Sequence, residues 1–218
     1  MITLILILLL SYLLGSIPTS IIIGKITRGI DIRQYGSGNA GGTNAFRILG
    51  WRAGLFVSLF DVFKGFTATY WVAQLRLGPL PFENQTVLMI LAGICAILGH
   101  TFTVFAGFKG GKGVATGAGM LIALYPLAVV ICALIFALVL FSTGIVAVAS
   151  LSAATTLPLA ILVISWLRQQ SPDLALLIFS IIIPLFIFYT HRTNIQRLLN
   201  GTENRFDKLI LLRRRKPK

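Results

Sequence analysis

Carboxylates are scarce in this 218-residue chain, which has 6 Asp and Glu against 19 Lys and Arg. A site built here therefore has many cations and almost no side chain to act as a base. Cysteine is equally sparse: Cys95 and Cys132 both lie inside apolar runs and read as small buried hydrophobes, not as a disulfide. The two histidines, His100 and His191, have no Cys/His cluster around them, so no metal is expected. Charged residues of both signs make up 11% of the chain, where a soluble domain carries about a quarter. Hydrophobic residues make up 56%, more than a soluble core of this length holds. Lipid is the remaining solvent. The length suits one compact helical bundle, so residues 1–218 read as a single membrane-embedded domain.

The net charge of +13 might suggest nucleic acid, but its distribution argues against that partner. Basic residues cluster between long apolar runs, as in membrane loops. No basic residue precedes the first apolar run, so it reads as an uncleaved anchor and not as a secretory signal. A bilayer-crossing helix needs about 20 apolar residues. Segments 2–23, 51–75, 86–105, 145–167 and 174–189 meet that need, and 113–141 is long enough for one long helix or two short ones. Lys25, Arg28 and Arg33 hold the end of the first helix inside, and the basic tail after His191 should be inside too. An even number of crossings must then separate Lys112 from His191. Splitting 113–141 at Tyr125-Pro126 gives four, because proline lacks an N–H and ends a helix. The expectation is an all-α integral membrane protein, a seven-helix transmembrane bundle with the N-terminus outside and the C-terminus cytoplasmic. Of the 19 Lys and Arg, only Arg76 and Arg168 then lie outside. The stretch 213–216 should rest on anionic headgroups.

Three polar segments share the inner face. The first runs from Tyr35 to Arg47 and holds Gly36, Gly38, Gly41 and Gly42. Such glycines let the backbone aim N–H groups at one spot, a nest suited to phosphate. Ser37, Asn39, Thr43 and Asn44 add neutral hydrogen-bonding groups, and Arg47 adds a fork that matches phosphate oxygens. The second contains Lys109, Gly110, Gly111, Lys112 and Gly113 ahead of a helix. It is not a Walker A loop, since Gly113 follows Lys112 where Ser or Thr is required. A generic anion cradle at a helix N-terminus survives. In the third, His191 and Asn194 share a face one turn apart if the last helix continues. Within the membrane, Asp61 and Lys64 lie one turn apart and read as a helical salt bridge; His100 has no assigned role.

Two functions from different classes fit this pattern. A transporter for an organic phosphate would place polar groups near the midplane, commonly with internal repeats. Here the polar density sits at one interface without a repeated half, which favours an enzyme joining a phosphate compound to an apolar partner. No Ser–His–Asp set is evident. A site rich in donors and poor in bases suits acyl transfer from an acyl phosphate, whose leaving group needs stabilisation more than activation.

At these motifs the chain resembles the bacterial acyl-phosphate-dependent glycerol-3-phosphate acyltransferases. The resemblance covers Gly15-Ser-Ile-Pro18, Gly36-Ser-Gly-Asn39, Thr43-Asn44 with Arg47, Asp61 with Lys64-Gly65, and Leu98-Gly-His100. It continues through Phe108-Lys-Gly-Gly-Lys-Gly113 and His191-Arg-x-Asn194 to Gly201-x-Glu203. Two departures are small: Gly42 stands where Ala is usual, and Thr103 where Pro is common. The resemblance implies catalytic roles for Ser37, Arg47, His191 and Asn194. It implies substrate and phosphate binding by Gly38, Asn39, Thr43, Asn44, Lys109, Gly110, Gly111, Lys112, Gly113 and Ser150. Glu203 would be structural. The implied partners are acyl phosphate, glycerol 3-phosphate and membrane lipid, with a functional link to the enzyme that makes acyl phosphate. No cofactor is implied. The implied location is the bacterial plasma (inner) membrane, with the active site facing the cytoplasm.

Overall fold

The computed structural model describes residues 1–210, and the basic stretch 213–216 lies outside the described residues. Among the described residues all regular structure is helical. The chain divides into two compact units at Pro126/Leu127.

In the first unit, the apolar run expected as one span breaks into α1 (Ile2–Gly15) and α2 (Thr19–Arg28). The break falls at Ser16-Ile-Pro18, where Pro18 cannot donate to the preceding turn and caps α2. A seven-residue helix, α3 (Gly42–Ile48), forms inside what sequence alone reads as loop. Next come α4 (Trp51–Tyr70), α5 (Gln85–Thr101) and α6 (Val114–Leu124). α1 packs on α5, and α4 packs on α6. Both crossings depend on missing side chains. A Cβ at Gly15 would overlap the Ala96 backbone, and one at Gly99 the Tyr12 carbonyl. Likewise Gly65 faces the Thr116 carbonyl and Gly119 faces the Val62 carbonyl. In lipid, where apolar burial does not drive helices together, such close backbone packing supplies the attraction.

The second unit holds α7 (Pro126–Thr143), α8 (Val146–Leu167), α9 (Leu174–Thr190) and α10 (Arg192–Leu199). The expected split at Tyr125-Pro126 is present, with Pro126 opening α7, a position where its absent N–H is not needed. α8 packs against α9. Beyond α10 the chain returns to the α7–α8 turn: Phe206 N–H donates to Gly144 O (2.8 Å) and the Arg205 guanidinium to Thr143 O (3.1 Å).

Among the described residues, four segments are long and apolar enough to cross a bilayer: Ile2–Arg28, Gln85–Ala106, Pro126–Thr143 and Val146–Leu167. A fifth is α9 if counted with α10, the two being bent by 62°. Two expected spans fall short of that measure for different reasons. α4 has the length but carries Arg52, Asp61 and Lys64. α6 has 11 residues, a rise of about 16 Å against a hydrocarbon core of about 30 Å.

Candidate active site

The first loop is built around Asn44. Its side chain is fully buried and donates to Ile32 O (3.1 Å) and Tyr35 O (3.0 Å), while its Oδ1 accepts the Ser37 N–H at 3.0 Å. Gly36 turns with φ +62°, and a Cβ there would overlap Asn44 Oδ1. Asn44, expected to touch substrate, thus braces the loop and fixes the backbone of Ser37. Gly38 and Gly41 donate their N–H groups to Tyr35 O and Asn39 O, both at 3.1 Å. Their amides close local turns; none is aimed at an open nest. Ser37, Asn39, Thr43 and Arg47 remain half-buried around this brace, the last two on α3. The departure at Gly42 has a physical account: a Cβ there would overlap Ser58 Oγ.

In the second loop, Gly110 and Gly111 also bond inward, donating to Thr101 O and His100 O at 3.0 Å each. The loop also carries the first turn of α6, which Gly113 opens at φ +83° without a side-chain cap, and the ammonium groups of Lys109 and Lys112. Lys109 is exposed and Lys112 half-buried.

Arg33, read from sequence only as positive-inside charge, links the two loops. Its guanidinium grips Asp31 through Nε (3.1 and 3.2 Å) and Nη2 (2.7 Å), and donates from Nη1 to Ala106 O (2.7 Å) and Lys109 O (3.2 Å). The hydrogen bond from Arg33 holds the Asp31 carboxyl below its ordinary range, against the opposing effect of burial. The short spacing Asp31-x-Arg33 was the available signal for this clasp.

Beneath these loops lies a buried ionic cluster. Lys64 Nζ is 2.9 Å from Asp61 Oδ1 and donates to Ile17 O at 3.1 Å, while His100 Nδ1 lies 3.5 Å from the same carboxylate oxygen.

The third segment lies in the second unit, with Ser150 buried on the first turns of α8. The last helix does not run on as expected. It ends at His191, which then caps α10. His191 and Asn194 nevertheless stay one turn apart, through the Asn194 N–H to His191 O bond (2.8 Å), and both are buried. His191 Nδ1 sits 2.8 Å from Ile187 O. A carbonyl only accepts, so Nδ1 carries a proton in this contact. Glu203 clamps this turn, accepting from Asn194 Nδ2 and Arg197 Nε at 2.8 Å each.

A census of the carboxylates follows from these contacts. Asp31, Asp61 and Glu203 hold the cations and amide just named, and Asp173 caps α9 by accepting from Leu176 N at 3.0 Å. Only Glu83 and Asp207 are left, both exposed, before α5 and beyond α10 respectively.

Comparison with known proteins agrees with the motifs. Residues 5–201 match the family model described as glycerol-3-phosphate acyltransferase. A glycerol-3-phosphate acyltransferase of Chlorobium phaeobacteroides is 49% identical over 228 aligned positions, covering 94% of this chain and 97% of the relative. Two crystal structures of PlsY (YgiH), an integral membrane glycerol 3-phosphate acyltransferase, are similar in fold. The glycerol 3-phosphate form superposes with a TM-score of 0.80 and the lysophosphatidic acid form with 0.78. Each is 33% identical, covering 93% of this chain and 95% of the other.

Proposed function

The chain belongs to the glycerol-3-phosphate acyltransferase family, and on that premise we propose that it moves a fatty acyl group from acyl phosphate to the 1-hydroxyl of sn-glycerol 3-phosphate. The products are lysophosphatidic acid and inorganic phosphate, in phospholipid biosynthesis. The observation that carries the donor assignment is the carboxylate census. Four of the six carboxylates are bound to structural partners, Glu83 precedes α5 and Asp207 belongs to the second unit, so the two glycine loops carry cations with no carboxylate of their own.

In the proposed reaction the 1-hydroxyl oxygen attacks the acyl carbonyl carbon, and the bond from that carbon to the phosphate oxygen breaks. The hydroxyl proton passes to the departing phosphate, which serves as the base that the side chains of the two glycine loops do not supply. Arg47, Lys109, Lys112 and the first turn of α6 with Gly113 hold phosphate oxygens and the charge that builds on them. Ser37, on a backbone fixed by Asn44, orients a reacting oxygen. Gly38, Asn39, Thr43, Gly110 and Gly111 shape the loops that present these groups. His191 and Asn194 orient the glycerol hydroxyls, and Ser150 adds a further polar contact. No cofactor enters the scheme.

The protein is an acyltransferase of the membrane. We assign it seven membrane-crossing or membrane-embedded helical segments, the N-terminus outside and the C-terminus cytoplasmic, in a bacterial plasma (inner) membrane. Residues 1–218 act as one acyltransferase domain, fed by the enzyme that makes acyl phosphate. Reconstituted vesicles given acyl phosphate and labelled glycerol 3-phosphate test the assignment against transport. Lysophosphatidic acid is the expected product, and uptake of label without any acylated product would contradict it.

A further inference from the structure

Asp61, Lys64 and His100 take no part in the chemistry above, yet all three are buried. Asp61 and Lys64 are three residues apart on α4 and could neutralise each other without help from another helix. An isolated buried pair of this kind is a weak source of stability, since packed apolar side chains commonly do as well. The two groups instead reach outward. Lys64 donates to Ile17 O in the break between α1 and α2, and Asp61 faces Nδ1 of His100 on α5.

The other edge of the imidazole meets the second loop. A Cβ on Gly111 would overlap His100 Nε2, and it would lie 2.9 Å from Ala40 O in the first loop. Gly111 is thus wedged between the His100 ring and the first loop, while its own N–H bonds the His100 carbonyl. Lys112 is the next residue. Tilting or removing the imidazole therefore shifts the backbone that carries that ammonium group.

We propose that Asp61, Lys64 and His100 are positioning residues: they set the imidazole against which the glycine loop is registered, and so fix where Lys112 stands relative to substrate phosphate. The inference rests on the acyl-transfer reading and adds an indirect role for three residues that touch no substrate. Its energetic content is geometric. A displacement of about one ångström in a phosphate-holding group is enough to lower turnover by one to two orders of magnitude.

The test uses full-length protein in lipid nanodiscs, with H100A, D61N, G111A and the double variant H100A/G111A. Each is measured for KM toward acyl phosphate and glycerol 3-phosphate, for kcat and for its thermal midpoint. Positioning predicts KM for a phosphate substrate raised about tenfold in the single variants. It also predicts a double variant no worse than the poorer single, because both changes disrupt one contact. Unchanged KM values, with activity lost only in step with folded protein, would overturn the proposal, as would losses that multiply in the double variant. Should the variants not fold, the wild type still decides. With two histidines in the chain, ¹⁵N imidazole spectra are simple, and adding glycerol 3-phosphate should move the His100 signals. Unmoved His100 signals during normal turnover would overturn the idea. Wild-type protein that forms no product from acyl phosphate would instead count against the acyl-transfer reading itself.

Discussion

Asn44 satisfies three backbone groups at once, and its loss should be felt first in folding. Asn44→Ala leaves the Ser37 N–H without its acceptor and takes one of two donors from Ile32 O and Tyr35 O, which keep the Tyr35 and Gly38 N–H groups; the orphaned amide alone costs about 1–3 kcal/mol. We expect a lowered thermal midpoint together with lost activity. Ser37→Ala should differ, abolishing acylation in protein whose midpoint is unchanged, and Arg47→Ala should abolish acylation too; near-normal rates in either would remove that residue from the site. The Asp31–Arg33 clasp gives a prediction in pH. A depressed folded pKa contributes stability that is full above the unfolded carboxyl value and lost as pH falls through the lower folded one. The clasp is therefore constant from about pH 5 to 9 and weakens only in stronger acid. The activity ratio of wild type to Asp31→Asn should be flat across that window, and a ratio that varies there would contradict the assignment. Of these contacts only the Asp31–Arg33 clasp had a signal in its spacing. Asn44 bonds backbone groups 7 to 12 residues away, and Gly38 and Gly41, which looked like part of an open nest, turn their N–H groups to carbonyls of the fold.

Between helices, the contacts are set by what is missing from their surfaces. Gly65→Val drives a side chain into the Thr116 carbonyl at the α4–α6 crossing, and overpacking of this kind costs about 1–3 kcal/mol or more. Gly29→Ala, at φ +66° with open space around it, should cost only the left-handed strain of about 1 kcal/mol. Unfolding of both variants in detergent checks the order, and equal losses would mean the crossing is looser than described. Proline made one break readable, at Pro126, because the topology required a split within that stretch. The equivalent break at Pro18 escaped notice because the apolar run continues through it. Helical periodicity gives little help in such a chain, since lipid-facing and protein-facing sides are both apolar. The short α3 was hidden for the opposite reason: its glycines and polar side chains read as loop.

For the chain as a whole, charge carries the orientation. Only Arg76 and Arg168 of the 19 basic residues fall on the outer side in the proposed topology. Single cysteines placed at positions 76 and 109, after removal of Cys95 and Cys132, should react with an impermeant thiol reagent from opposite sides of an intact cell membrane. Labelling of both from one side would overturn the topology. The broad outcome, a helical membrane protein of the glycerol-3-phosphate acyltransferase family, followed from composition and from the order of motifs. The bracing contacts did not, because they join backbone atoms that no side-chain pattern announces. What the carboxylate census adds is a reason for the proposed donor: with no carboxylate in the two glycine loops, a leaving group that departs as a stabilised anion and takes the proton with it suits the proposed site. The most direct measurement gives purified protein labelled glycerol 3-phosphate with either acyl phosphate or acyl-coenzyme A. Lysophosphatidic acid from acyl phosphate, with little or none from the thioester, is the predicted result; equal use of the two donors would contradict the account.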